Sequence, residues 1–185
     1  IEHFIHACRY NADLKMLVHN NQVFALTVGQ ATPTSEKGFV GSANFQGKKE
    51  EPLNPLTLAL VSGASFVGRG YALDKTHLKD LIRRAAEHKG FAFIDILQPC
   101  VVFHNTIPYF QKNVYKLNQE HNPADFDSAL KMAKEWDYCF DRDQKIPIGV
   151  FYKTEKPILE AGFPQEKVWY RVKRNLDWKK LTEKF

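Results

Sequence analysis

An almost uninterrupted apolar run at residues 91–97 limits the folds open to this chain more than any other segment. A strand that is apolar at nearly every position is typical of a parallel sheet with both faces covered. A helix is predicted directly before it, because Asp74 is a suitable N-cap and His88-Lys89-Gly90 is a typical helix end. The segment therefore indicates a domain in which helices cover a buried sheet.

The same alternation continues along the rest of the chain. Further helices are predicted at residues 2–11, 54–63 and 125–136, and further strands at 14–18, 66–71 and 148–152. Helices alternating with apolar strands indicate an α/β layered domain with a mainly parallel sheet. Residues 20–51 and 101–123 are predicted to be irregular, and a loop of such length is more often functional than accidental.

The length and composition are those of a single globular domain. The chain has 185 residues, of which 44% are hydrophobic and 25% are charged, as expected for one domain of roughly 100–200 residues. No apolar run approaches the ~20 residues of a membrane span and no secretory signal is visible, so we expect a cytoplasmic protein with no membrane partner. Cys8, Cys100 and Cys139 lie far apart, so a secreted disulfide framework is not expected.

Basic residues are in mild excess and mostly dispersed. Lysine and arginine number 26 against 21 acidic residues, a formal net charge of +5. The densest basic stretch is residues 167–184, where Trp169, Tyr170 and Trp178 alternate with lysines and arginines. Such a composition can mark a nucleic-acid site, but packing of the aromatic residues on the domain or on a partner is the favoured interpretation. No nucleic-acid partner is predicted, and a nucleic-acid-binding module stays an alternative.

Two asparagines occupy a position where ligands often bind. In open α/β sheets, ligands bind beyond the carboxyl ends of the strands, and Asn20 and Asn21 follow the first predicted strand. Amide and carbonyl oxygens there can complete the octahedral shell of a Mg²⁺ ion that also holds a diphosphate. Such an ion normally needs a carboxylate as well, and the nearest in the sequence, Asp13, precedes the strand. Taken alone, the two asparagines favour an ordinary turn.

Cys100 and two histidines are the other candidate metal ligands. A lone cysteine after a buried strand is usually a small core residue. A [4Fe–4S] cluster needs four thiolates, more than the three cysteines of this chain. His3 and His6 are separated by one residue fewer than the spacing that zinc-binding helices prefer, and no third ligand is evident. By themselves, these residues favour structural roles.

Several separated blocks of sequence closely resemble, in the same order, the β subunit of the 2-oxoacid:ferredoxin oxidoreductases. These blocks are residues 3–7, 18–27, 29–30, 33–35, 52–55, 95–100, 114–117 and 146–153. The resemblance implies a thiamine diphosphate-binding fold of three layers with a mainly parallel sheet, whose N-terminal part would precede this chain. Residues 1–157 would form the C-terminal part of that domain, and residues 158–185 an extension that packs on it or on a partner subunit.

The resemblance also implies which residues bind the cofactor. Asn21 would offer its side-chain oxygen and Val23 its backbone carbonyl to Mg²⁺, and the family's other ligand is the aspartate of an upstream Gly-Asp-Gly motif. The loop beneath thiamine diphosphate corresponds to Ala25, Leu26 and Thr27. Many relatives have lysine, glycine or threonine where this chain has Val28, which leaves no basis for assigning a substrate contact to that side chain.

Cys100 acquires a second interpretation from the same resemblance. It matches the fourth cysteine ligand of the family's [4Fe–4S] cluster, whose three companions would lie upstream of this chain. Cys8 and Cys139 match no ligand position and are predicted to be structural. The chain would then have too few cysteines for a [4Fe–4S] cluster because the other cysteine ligands lie outside it.

The activity that the resemblance implies is the oxidative decarboxylation of a 2-oxoacid to acyl-coenzyme A, with electrons passed through the cluster to ferredoxin. In this family, the glutamate that activates the cofactor comes from the partner α subunit, so no catalytic residue is predicted in this chain. A non-oxidative thiamine diphosphate enzyme, of the decarboxylase or acetolactate synthase type, is the alternative among enzymes. The cysteine at position 100 argues against it.

Overall fold

The computed structural model describes residues 1–118, 120–140 and 144–163, together with residues 171, 182 and 183. In chain order the elements are α1 (Glu2–Tyr10), β1 (Lys15–Asn20), β2 (Val23–Phe24), β3 (Gln30–Ala31), α2 (Pro55–Val61), β4 (Phe66–Tyr71), α3 (Lys75–Glu87), β5 (Ala92–Leu97), α4 (Ile107–Asn113), β6 (Val114–Lys116), α5 (Phe126–Ala133), β7 (Ile146–Lys153) and a 3₁₀ turn, Leu159–Gly162. Most of the predicted extension, residues 158–185, lies outside the described residues, as does nearly all of the basic aromatic stretch within it.

Five of the strands form one sheet, in the order β1-β5-β4-β7-β6. All neighbouring strands in it are parallel except β4 and β7. β2 and β3 form a separate two-stranded antiparallel pair. The predicted α/β domain with a mainly parallel sheet is therefore confirmed.

Helices cover both faces of this sheet. On one face, α1, α2 and α5 bury apolar side chains such as Leu56 against β4, β5 and β7. On the other face, Leu81 of α3 packs against the same three strands. Because side chains alternate along a strand, Phe93 of β5 belongs to the first core and Ile94 to the second. The three layers agree with the predicted fold. In the described ranges, no helix has the length and apolar character needed to cross a membrane.

Local signals determine where three of the helices begin. The side chains of the N-cap residues accept hydrogen bonds from backbone N–H groups one turn ahead, Asn54 from Thr57 (3.0 Å), Asp74 from His77 (3.1 Å) and Asp125 from Ser128 (3.2 Å). Pro55 takes the first position of α2, where its missing N–H costs no hydrogen bond. β4 spans the predicted residues, whereas α2 and α5 are shorter than predicted.

One stretch that was predicted to be irregular is partly regular. Residues 101–123 contain the helix α4 and the strand β6. α4 has only seven residues and no side-chain cap, so little in its own sequence favours a helix. Its Phe110 is buried against the rings of Tyr71 and Trp136, and this tertiary contact stabilises the helix. Residues 20–51 are irregular, as predicted, apart from Asn20, which ends β1, and the strands β2 and β3.

Stability should decrease in mild acid because of buried histidines. Burial lowers the pKa of His88, whose Nε2 lies 2.7 Å from Ser65 Oγ, and that of His104. The unfolded chain takes up these protons near pH ~6.5, whereas the folded chain resists them, so the free energy of unfolding should be constant between about pH 7 and about pH 8 and fall below about pH 6.5. Urea denaturation at a series of pH values measures this dependence.

Two variants separate this effect from a general loss of stability. His88→Gln should flatten the dependence on pH, because one of the buried histidines no longer titrates. Asn54→Ala, which removes the cap of α2, should lower the free energy of unfolding equally at every pH. An unchanged slope in His88→Gln would exclude His88 as a source of the effect.

Candidate functional site

The carboxyl ends of β1, β5 and β4 meet at one edge of the sheet, because these strands are parallel. β1 runs further than predicted and ends at Asn20, which pairs with the last residue of β5. Beyond that pair, the backbone N–H of Gln98 donates to the carbonyl of Asn20 (3.1 Å), and Oε1 of Gln98 lies 2.6 Å from Nδ1 of His19. The segments that contain Asn21 and Cys100 therefore begin side by side.

Asn21 lies in a tight turn between β1 and β2. Its Oδ1 accepts a hydrogen bond from the backbone N–H of Val23 (3.2 Å). Gln22, between them, has a φ of 58°, in the left-handed region that few residues other than glycine adopt. Gln22 is buried, its Nε2 donates to the carbonyl of Thr34 (2.8 Å), and its own carbonyl accepts from the hydroxyl of Ser35. Contacts with the following loop therefore hold the turn in this conformation.

A cavity of about 730 Å³ opens beside this turn. It is lined by Asn21, Val23, Phe24, Ala25, Leu26, Thr27, Gln30 and Ala31. Its volume is within the range of roughly 300–1,000 Å³ that is usual for small-molecule sites. The structure thus brings together, around one cavity, the five residues that the sequence analysis assigned to the cofactor.

The loop that lines this cavity passes closely against the turn that contains Cys100. At Gly29 the loop has a φ of 77°, and its N–H donates to the carbonyl of Phe24 (3.1 Å). A Cβ atom at position 29 would lie 2.7 Å from Cδ1 of Phe103. Both the backbone angle and the close approach of the ring require glycine at this position.

Cys100 has an environment that favours the thiolate. Its Sγ is half-buried and accepts a hydrogen bond from the backbone N–H of Phe103 (3.5 Å). Burial raises the pKa of this thiol, but the N–H groups of Phe103, Val102 and His104 outweigh that effect and hold the pKa below its usual range. The thiolate is the form that binds metals. The position therefore fits one ligand of an iron–sulfur cluster, which needs four.

The turn at Asn21 offers oxygen ligands but not a complete metal site. Oδ1 of Asn21 and the carbonyl of Val23 are oxygen atoms of the kind that Mg²⁺ prefers. Within the described part of the chain, no group of three His, Cys, Asp or Glu side chains could hold a metal ion. These two oxygens fit a Mg²⁺ ion that draws its remaining ligands from a diphosphate, water or another segment.

Among the described residues, the other two cysteines and the two histidines of α1 belong to no group that could hold a metal ion. Cys8 of α1 is completely buried, and burial raises the pKa of its thiol to about 12, so it offers no thiolate at neutral pH. His3 and His6 are exposed on α1, and the ring of His6 stacks on Tyr10. Cys139 is half-buried in the segment after α5.

A buried cluster of polar and charged side chains lies behind the Asn21 turn, and the sequence analysis did not identify it. Asp95 of β5 is the single polar residue within the apolar run at 91–97, and this interruption was the signal that could have revealed the cluster. Oδ2 of Asp95 accepts from the hydroxyl of Tyr138 (2.6 Å) and lies 3.5 Å from Nε of Arg69. Its Oδ1 accepts from Nδ2 of Asn20 (3.1 Å). We call these three residues, Arg69, Asp95 and Tyr138, the buried ionic cluster.

The charges of this cluster are balanced inside the protein. The guanidinium group of Arg69 lies 5.1 Å from the ring centroids of both Trp136 and Tyr138 and donates to the Tyr138 hydroxyl (3.1 Å). Burial raises the pKa of the Asp95 carboxyl, and the positive charge of Arg69 opposes that shift, as do the hydrogen bonds from Tyr138 and Asn20. Aromatic rings and the opposite charge therefore take the place of water around each group.

Comparison with known proteins identifies the family. Residues 1–96 match the family model of the C-terminal TPP-binding domain of thiamine pyrophosphate enzymes, and residues 100–167 match that of the C-terminal part of the pyruvate ferredoxin oxidoreductase beta subunit. The chain is 40% identical over 164 residues to the 2-oxoacid:ferredoxin oxidoreductase subunit beta of Saccharolobus solfataricus, covering 84% of this chain and 53% of that protein. The chain belongs to the β subunits of the 2-oxoacid:ferredoxin oxidoreductases, a family of thiamine pyrophosphate enzymes.

Two further relatives support this assignment. The chain is 36% identical over 186 residues to 2-oxoacid:ferredoxin oxidoreductase 1, subunit beta, of Aeropyrum pernix, covering 93% of this chain and 57% of that protein. The 2-oxoglutarate:ferredoxin oxidoreductase from Magnetococcus marinus, solved with 2-oxoglutarate, coenzyme A and succinyl-CoA bound, superimposes with a TM-score of 0.80 at 30% identity, over 86% of this chain and 54% of that chain. The predicted family and fold are confirmed, and this chain spans about half the length of these relatives.

Proposed function

We propose that this chain carries the thiamine diphosphate site of an enzyme that converts a 2-oxoacid to acyl-coenzyme A and passes the electrons through an iron–sulfur cluster to ferredoxin. The observation that supports this most directly is the common position of the two predicted sites. The five residues assigned to the cofactor line one cavity, and the loop around it packs against the turn of Cys100 through Gly29 and Phe103. Electron transfer from the cofactor to a cluster requires such proximity.

In this proposal, Asn21 and Val23 hold the metal ion. Oδ1 of Asn21 and the carbonyl of Val23 would each occupy one position of an octahedral Mg²⁺ site, and Ala25, Leu26 and Thr27 would lie beneath the cofactor. When bound, thiamine diphosphate supplies the chemistry that removes carbon dioxide from the 2-oxoacid, and the protein supplies position and charge. The family's carboxylate ligand would come from the half of the subunit that lies outside this chain.

Cys100 would be one of the four thiolate ligands of a [4Fe–4S] cluster. The backbone N–H groups around its Sγ favour the thiolate and would also tune the reduction potential of a bound cluster, since hydrogen bonds to the sulfur atoms have that effect. The other three cysteines would lie outside this chain. A cluster of this kind and cysteines that form no disulfide suit a reducing compartment, so we place the enzyme in the cytoplasm.

The proposed partners are an α subunit, ferredoxin and coenzyme A. The loop at the cavity leaves apolar side chains without cover in this chain, since Leu26 is 100% exposed and Phe24 is 54% exposed. Contact with an α subunit, which would also supply the glutamate that activates the cofactor, would bury them and close the cavity to water. The substrate class is a 2-oxoacid, as in the names of the relatives.

Removal of the Asn21 side chain tests the proposed function. In the complete β subunit, assembled with its partner, Asn21→Ala should weaken the affinity for thiamine diphosphate in Mg²⁺ by at least about 10-fold, because even the loss of a residue that only orients a metal ligand typically costs roughly 10–100-fold. Isothermal titration calorimetry measures this affinity. Asn44→Ala, which changes an asparagine elsewhere in the same long loop, is the control and should bind as the unaltered enzyme does. Unchanged affinity in Asn21→Ala would remove Asn21 from the metal site.

A further inference from the structure

We propose that Asn20, held by the buried ionic cluster, is a positioning residue for the metal site. It sets the conformation of the turn that presents Oδ1 of Asn21 and the carbonyl of Val23 to the cation. The inference rests on the proposed function and deepens it, because it assigns a role to residues that contact neither the metal ion nor the cofactor.

The side chain of Asn20 has only one orientation that satisfies its surroundings. Asn20 is the last residue of β1 and is 7% exposed. Its Nδ2 donates to Oδ1 of Asp95 (3.1 Å), and a carboxylate oxygen accepts hydrogen bonds. Oδ2 of Asp95 is engaged by Tyr138 and Arg69, so the carboxylate cannot turn away. The amide oxygen of Asn20 therefore points toward the turn that follows β1.

That oxygen organises the turn around Asn21. Oδ1 of Asn20 accepts hydrogen bonds from the hydroxyl of Thr34 (2.7 Å) and from the backbone N–H of Gln22 (3.2 Å). The bond to Gln22 closes a turn of the type that asparagine side chains form with the backbone two residues later. Gln22 also reaches the cluster directly, since its Nε2 lies 3.4 Å from the carbonyl of Tyr138.

Asn21 is thus placed by its two neighbours rather than by its own contacts. Both Asn20 and Gln22 are buried and bonded to the buried ionic cluster. Asn21 is half-buried, and among the described residues its side chain bonds only to Val23, within the turn. The left-handed conformation of Gln22 carries a cost that these bonds offset. Loss of the Asn20 side chain should therefore allow the two metal ligands to shift relative to each other.

The size of that effect should depend on the cation. Mg²⁺ requires nearly ideal octahedral geometry with oxygen atoms at about 2.0–2.1 Å, whereas Ca²⁺ accepts irregular shells at about 2.3–2.6 Å. A turn that positions its oxygens less accurately should penalise Mg²⁺ more than Ca²⁺. A general loss of stability would weaken the binding of thiamine diphosphate equally with Mg²⁺ and with Ca²⁺. The ratio of the affinity measured with Mg²⁺ to that measured with Ca²⁺ therefore distinguishes a positioning role from a merely structural one.

The test compares Asn20→Ala with the unaltered complete subunit, assembled with its partner. Thiamine diphosphate is titrated by calorimetry in the presence of Mg²⁺ and, separately, of Ca²⁺. We expect at least a 10-fold weaker affinity with Mg²⁺ and a smaller change with Ca²⁺. The matched control is Asn54→Ala, because this asparagine also bonds through both ends of its amide, to Thr57 and Ala133. In Asn54→Ala, the ratio of the affinity with Mg²⁺ to the affinity with Ca²⁺ should stay unchanged.

A second variant covers the case in which Asn20→Ala does not assemble. Thr34→Val removes the hydroxyl bonded to Asn20 and keeps a side chain of similar shape. It should therefore also lower the ratio of the affinity with Mg²⁺ to the affinity with Ca²⁺, but by a smaller factor than Asn20→Ala. If the unaltered enzyme does not bind thiamine diphosphate with Mg²⁺, the proposed function is overturned together with this inference. If it binds, and Asn21→Ala weakens binding while Asn20→Ala and Thr34→Val leave the ratio unchanged, this inference alone is overturned.

Discussion

Replacement of Arg69 by methionine is expected to lower the free energy of unfolding by about 3–5 kcal/mol, the loss usual when one partner of a buried ion pair is removed. Arg69 and Asp95 are both completely buried, so the Asp95 carboxyl would lose its counter-charge without gaining water. Methionine retains much of the volume that packs on Trp136 and Tyr138, and the loss therefore reports mainly on charge. Urea denaturation at neutral pH measures it.

Two further variants show whether the unpaired charge of Asp95 causes the loss of stability in Arg69→Met. Arg83→Met is the surface control, because Arg83 pairs with Asp80 and Glu87 on the exposed side of α3, and it should leave the urea midpoint unchanged. The double variant Arg69→Met with Asp95→Leu should recover part of the lost stability, because no unpaired charge remains. A loss in Arg69→Met no larger than in Arg83→Met would refute the assignment.

Replacement of Cys100 by alanine is expected to abolish the electron paramagnetic resonance signal of the reduced [4Fe–4S] cluster that we propose for the complete enzyme. The cluster needs four thiolates, and alanine, unlike serine, has no atom that could bind iron. The measurement is the low-temperature spectrum of the assembled enzyme, prepared without oxygen and reduced with dithionite.

Cys139→Ala is the matched control for this experiment. Cys139 is, like Cys100, a half-buried cysteine of this chain, and it matches no ligand position of the family. Its replacement should leave the cluster signal intact. A native signal in Cys100→Ala would show that Cys100 is a core residue, as the sequence without the family resemblance suggested.

Elements with strong local signals were predicted well. β4 has the predicted bounds, and α3 begins after the predicted cap Asp74, because a cap is a contact between residues a few positions apart. α4 and β6 were missed, since Phe110 of α4 packs on Tyr71 and Trp136, which lie far from it in the sequence. The antiparallel direction of β7 beside β4 likewise depends on the path of the chain between them, which no local pattern records.

The candidate site was predictable only in part. The family resemblance pointed to Asn21, Val23 and Cys100, and the structure places the segments that carry them at one edge of the sheet. The residues themselves favoured an ordinary turn and a core cysteine, because the described residues contain no group of His, Cys, Asp and Glu side chains that could complete either metal site. The role of Asn20 was not visible, since its partners Thr34 and Asp95 are 14 and 75 residues away.

The amino-acid sequence by itself determined the covered, mainly parallel sheet, the starts of α2, α3 and α5, and the family. The run at residues 91–97 can satisfy its apolar side chains only inside a layered domain, whatever the rest of the chain does. Only the tertiary structure decided that a buried carboxylate, Asp95, can occupy a position within this run. A buried carboxylate is stable when a counter-charge and hydrogen-bond donors surround it, and Arg69, Tyr138 and Asn20 reach it from three separate segments.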